Sequence, residues 1–168
     1  AVDDYDFSDR ELALICASHT SEPGHVELVQ SLLQRAGLSV EDLECGPDYP
    51  AHEKDGSRQG CKERVYHNCS AKHAGMLLAC KKLGLPTKGY LDPDHPYQKM
   101  LLGYVAQFCE MDESEIGLGV DGCGAPVFFM PLVKTALGFK NFAEPDSFDE
   151  DIQNACRRIT KAMYENPW

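Results

Sequence analysis

Apolar residues recur at helical spacing over most of this chain, in blocks separated by polar, Gly- and Pro-containing breaks. Ser8-Asp9-Arg10-Glu11 reads as a capping box opening a helix through Leu12, Leu14 and Ile15, over 9–17. Pro23 suits the first turn of a second helix, 23–36, whose Val26, Val29, Leu32 and Leu33 keep one face apolar as far as Gly37. Ser39-Val40-Glu41-Asp42 is a short helical cap. A third helix is predicted over 70–83, stopped by Gly84 and Pro86, and a fourth over 95–109 behind His95-Pro96. Two more are predicted over 129–138 and 148–164, the last opened by a capping box of Ser147 and Glu150. Residues 116–120 read as a short strand, and 44–67 as a long polar loop. The expectation is a single, mainly α domain over 1–168 with at most one or two short strands.

Composition narrows the partners. Across 168 residues the formal net charge is −11, and no Lys/Arg stripe offsets it, which argues against nucleic acid. No apolar run approaches the ~18 residues of a membrane span. The acidic stretch over 1–6 lacks the features of a signal peptide, so the expected setting is cytoplasmic. Eight cysteines form no CxxC pair. Cys16, Cys80, Cys109 and Cys156 lie in apolar helical patterns and read as small core residues. Cys45, Cys61, Cys69 and Cys123 lie in loops or at element ends, open to chemistry.

Two segments hold most of that chemistry. In Asn68-Cys69-Ser70-Ala71-Lys72-His73-Ala74-Gly75-Met76, Cys69 and Lys72 share one helix face with Cβ atoms about 5–6 Å apart. A thiol at a helix start is biased toward thiolate, and a partly desolvated lysine can lose its proton. In Asp121-Gly122-Cys123-Gly124-Ala125-Pro126, a glycine-flanked turn gives Cys123 freedom to be aimed. Two sulfurs and an amine would leave a fourth tetrahedral position for water or substrate. The plainer alternatives are a half-buried thiol, a solvated lysine and a turn aspartate accepting backbone hydrogen bonds. His73 points about 100° around the helix from Lys72, and as a lone histidine reads first as a structural hydrogen-bonding group. The adjacency of Ser18 and His19 is poor evidence for a nucleophile–base pair, and His95 reads first as a helix-entry residue.

Taken together, these segments resemble the L-asparaginase II family of inducible rhizobial type. The matching words are Leu14-Ile15-Cys16-Ala17-Ser18-His19, Glu22-Pro23-Gly24-His25-Val26, Asp42-Leu43-Glu44-Cys45-Gly46, the stretch over 68–76, Gly89-Tyr90 with Asp94-His95-Pro96, and the stretch over 121–126. The resemblance implies the fold of serine β-lactamases and penicillin-binding proteins, a helical domain set against an antiparallel sheet, with most of the sheet outside this chain. It implies hydrolysis of L-asparagine to L-aspartate and ammonia, usually by a homodimer, through a lysine-activated serine and an acyl-enzyme. It further implies zinc held by Cys69, Lys72, Cys123 and a water, with Asp121 behind the ligands, His73 close by, and Ser18 as the second catalytic serine.

The chain departs from that pattern in two respects: no Ser-x-x-Lys precedes Ser18, and the second active-site lysine that the family carries downstream on a sheet strand is expected outside this chain. It therefore reads as the middle portion of such an enzyme, expected to be inactive alone. Two other readings stay open: a self-sufficient hydrolase using Cys69 or a zinc-bound water, and a non-enzymatic helical module stabilised by zinc.

Overall fold

A computed structural model describes residues 7–50 and 61–167. Among these, six α-helices form: α1 (Asp9–Ile15), α2 (Pro23–Arg35), α3 (Ser70–Lys82), α4 (Pro96–Cys109), α5 (Leu132–Ala143) and α6 (Glu150–Glu165). An antiparallel hairpin pairs β1 (Gly117–Val120) with β2 (Pro126–Phe129), in the register Gly117 opposite Phe129 and Val120 opposite Pro126. The mainly α expectation holds.

Local chemistry sets the ends. Ser8 and Glu11 form the expected capping box on α1, and His95 caps α4 by accepting from the Tyr97 N–H at 3.1 Å. Gly37 and Gly84 both take φ +66° just beyond α2 and α3. At each, the next residue's N–H reaches back to the last turn (Leu38 to Leu33 O, Leu85 to Cys80 O), a Schellman closure that favours glycine.

Several expectations need correction. The predicted helix over 129–138 starts late, because Pro126–Phe129 is the second strand and the helix runs Leu132–Ala143. The apolar run over 127–133, interrupted only by Pro131, conceals a strand-to-helix change that periodicity cannot resolve. The last helix is capped by Asp149, which accepts from the Ile152 N–H at 3.0 Å, while Ser147 lies in a preceding 3₁₀ turn. Cys16 is exposed, because α1 has ended before it. Of the long loop expected over 44–67, residues 51–60 lie outside the described ones; the rest holds a bridge between Asp48 and Glu63 and a 3₁₀ turn at Arg64–Tyr66.

The core is centred on α3. Ala71, Ala74, Leu77, Leu78 and Cys80 are fully buried, and they meet Val29, Leu32 and Leu33 of α2 together with Leu43 and Val65. α3 also crosses α1 so closely that a Cβ on Gly75 would lie 2.5 Å from Ile15 Cγ2. α1 packs on α6, α6 on α5, and α5 on α4. The same core continues through Cys69, Cys123 and Ala125, so the start of α3 and the hairpin turn meet at its rim.

Candidate metal and substrate site

Two unrelated backbone devices bring the chemistry together. Cys69 immediately precedes α3, with its N–H held by His67 Nδ1 at 3.1 Å and its carbonyl accepting from the His73 N–H at 3.0 Å. The hairpin turn closes through Asp121 N–H to Ala125 O (2.8 Å) and Gly124 N–H to Asp121 O (2.9 Å). Gly124 takes φ +87°, the left-handed conformation that closes this turn at little steric cost to glycine. The turn points Cys123 inward, 3 % exposed, with its thiol donating to Asp121 Oδ2 at 3.4 Å.

The result is a cluster. One ligand atom each from Cys69, Asp121 and Cys123 lies within 4.8 Å of the others, and Lys72 Nζ sits 3.6 Å from Asp121 Oδ2. Two sulfurs bound to one tetrahedral zinc at ~2.3 Å each stand about 3.8 Å apart, so the spacing is of the right size. The donor set of two thiols, one amine and one carboxylate suits a borderline-soft ion. These residues fit the metal.

Electrostatics at the cluster run against one sequence expectation. Burial raises the Cys69 thiol above its ordinary pKa, although Lys72 opposes this; the helix start does not by itself yield a free thiolate. Burial works against the charged form of Lys72, but Cys123, Cys69 and Asp121 together outweigh it and hold its pKa above the ordinary value. Asp121 is held below the usual carboxylate range, first by the Gly122 N–H and then by the Cys123 thiol.

His73 is fully buried one residue beyond Lys72. Its pKa falls to about 4, through burial first and then Lys72 and His67, with Asp121 opposing. Its Nδ1 lies 2.7 Å from the Tyr90 hydroxyl. Ser18 is exposed in the loop after α1, and the neighbouring His19 N–H ties that loop to Asn68 O at 3.1 Å, one residue before Cys69. His19 itself is a structural pin: Nε2 meets Ser70 Oγ at 2.9 Å, and Nδ1 accepts from the Ser21 N–H at 3.1 Å. Ser21 takes φ 60°, a left-handed conformation uncommon for serine, and its hydroxyl donates to Tyr66 O at 2.6 Å.

The structure thus gathers Cys69, Lys72, Asp121 and Cys123, sets His73 beside them, and leaves Ser18 at the surface nearby. Tyr90 and Glu44 had no role in the sequence reading. The Glu44 N–H donates to Tyr90 Oη at 2.9 Å, and Glu44 Oε1 accepts from the Gly89 N–H at 2.7 Å. The available signal is that Glu44 and the pair Gly89-Tyr90 both fall within the matched words.

Comparison with curated proteins gives no match. The sequence model of one family, L-asparaginase II, matches residues 1–168, the whole of the chain. On that match the chain belongs to the L-asparaginase II family.

Proposed function

We propose that this chain is the zinc-binding part of an amidohydrolase that converts L-asparagine and water to L-aspartate and ammonia, in a cytoplasmic homodimer. The observation that carries the reading is the convergence of Cys69, Lys72, Asp121 and Cys123 in a chain of the L-asparaginase II family. Cys69, Lys72 and Cys123 would hold the ion, which supplies Lewis acidity or a fixed charge for a substrate oxygen. Asp121 accepts from the Cys123 thiol and faces the Lys72 amine, so it orients two of the three ligands. His73 offers a buried imidazole to the substrate side, and Ser18 is the serine assigned to proton relay. The two-stranded hairpin, and the exposed Val120, Phe129, Leu132 and Val133, fit a helical part packed against further antiparallel sheet in a β-lactamase-like fold.

The test is metal analysis of a zinc-supplied preparation with variants. Wild type should hold one zinc per chain. Lys72→Met and Cys123→Ser should each weaken binding by at least the roughly 10–100-fold typical of lost supporting residues around a metal. A wild type without zinc, or variants with unchanged affinity, would overturn the site. The Cys69–Lys72 spacing also favours a second reading, with Cys69 as nucleophile. The 168 residues contain no Ser-x-x-Lys, so ammonia release from L-asparagine at ~1 s⁻¹ or faster by this polypeptide, lost in Cys69→Ser that still binds zinc, would make Cys69 the leading nucleophile candidate.

A further inference from the structure

The hydroxyl of Tyr90 has a hydrogen-bonding geometry with one satisfied solution. Tyr90 is fully buried, and its oxygen already accepts from the Glu44 N–H at 2.9 Å. Its own hydrogen needs an acceptor, and among the described residues the atom in reach is His73 Nδ1, at 2.7 Å. If Nδ1 carried the proton instead, the Tyr90 hydrogen would be buried without an acceptor, an arrangement that folded proteins avoid. The tyrosine therefore donates, Nδ1 accepts, and the ring proton resides on Nε2. That Nε2 is buried and has no hydrogen-bond partner among the described residues.

Tyr90 is itself held rigidly. Gln98 Nε2 donates to its carbonyl at 2.7 Å, and the Glu44 carboxylate grips the Gly89 N–H at 2.7 Å. Its ring meets that of His73 edge-on, with centroids 5.6 Å apart. The His73 N–H donates to the Cys69 carbonyl at 3.0 Å, and His73 follows Lys72 in the first turn of α3, so the residue stands beside the cluster of Cys69, Asp121 and Cys123.

We propose that Tyr90 is a positioning residue that fixes His73 as its Nε2–H tautomer, so that the imidazole serves the neighbouring site as a hydrogen-bond donor to a carboxylate or carbonyl oxygen of the ligand. The inference rests on the functional reading above for what the ligand is, but the tautomer follows from the hydroxyl geometry alone. The nitrogen that carries a histidine's proton is set by the bond the other nitrogen makes. Tyr90→Phe keeps the buried ring and removes only that bond.

The experiment is long-range ¹H–¹⁵N correlation NMR of the imidazoles in the full chain, with His73 assigned by His73→Gln. Wild type should show a protonated Nε2 and an unprotonated Nδ1, and L-aspartate should shift the His73 Nε2–H resonance. Tyr90→Phe, checked for folding by circular dichroism, should lose the single tautomer and show a mixture or a protonated Nδ1. A protonated Nδ1 in wild type overturns the proposal without recourse to any variant. So does a folded Tyr90→Phe that retains the Nε2–H tautomer alone, or a His73 signal that L-aspartate leaves unmoved. Zinc content is read on the same samples. Zinc bound with the wrong tautomer rejects this inference and keeps the metal site; the right tautomer and aspartate shift without zinc do the reverse.

Discussion

At the residue scale, His19 is built to be neutral. It is 5 % exposed, and Nδ1 accepts from an N–H that a protonated ring would repel. Its Nε2 hydrogen goes to Ser70 Oγ, which itself donates to Val65 O at 2.8 Å. Burial, then the charges of His25 and His67, lower its pKa to about 4. Between pH ~6.5 and ~4 the unfolded chain binds a proton here that the folded chain does not, so stability is full above pH ~6.5 and falls as the pH drops through this window. The full shift corresponds to up to about 3 kcal/mol. Urea titrations in chelator should show wild type losing that much more stability from pH 7 to pH 4 than His19→Gln, which lacks the titrating ring. Parallel curves for the two proteins would rule this role out. Residues whose partners are local are legible in the sequence: Cys69 and Lys72 by helical spacing, Asp121 and Cys123 by their turn. Tyr90 is not, because its partners His73 and Glu44 lie 17 and 46 residues away. The raised pKa of the Cys69 thiol is not legible either, because it comes first from burial, which only packing determines, and burial outweighs the nearby Lys72.

At the element scale, helices with capping boxes or a flanking Gly or Pro are legible to within a few residues, whereas β2 is hidden inside an apolar run. The close contact of α3 with α1 is equally invisible beforehand. A Cβ on Gly75 would stand 2.5 Å from the branched Ile15 Cγ2 of α1. A β-branched side chain has few rotamers in which to yield. Gly75→Ala gains about 1 kcal/mol of helix propensity, but overpacking costs about 1–3 kcal/mol, so the net change should be a loss of up to about 2 kcal/mol. In an Ile15→Ala background the same substitution should become stabilising by up to about 1 kcal/mol. A double-mutant cycle by denaturant unfolding reads the coupling directly. Additive effects of the two changes would mean that the helices do not meet at this point.

At the scale of the whole molecule, the candidate site joins parts that the chain keeps far apart. Cys69 and Lys72 open the central helix of the core, whereas Asp121 and Cys123 belong to the hairpin between α4 and α5. That hairpin has two strands, a size that is marginal unless something packs on it, and it exposes Leu118, Val120 and Phe129. Its turn is tied to α3 by the Lys72–Asp121 pair, which is more than a third exposed on both sides and contributes little. An ion shared by Cys69, Lys72 and Cys123 would replace that weak tie with bonds to both elements. Because such a site needs the folded arrangement, zinc should bind the native chain preferentially and stabilise it by about 2.7 kcal/mol at free zinc a hundred times Kd. For a chain of this size, that corresponds to a rise in Tm of roughly 5–10 °C. Thermal melts with zinc and with chelator should show the rise in wild type and lose it in Cys123→Ser, and hydrogen exchange should slow in the 117–129 hairpin as well as at the start of α3. Zinc bound tightly by wild type with no change in Tm, or protection confined to α3, would mean that the ion does not bridge the two elements.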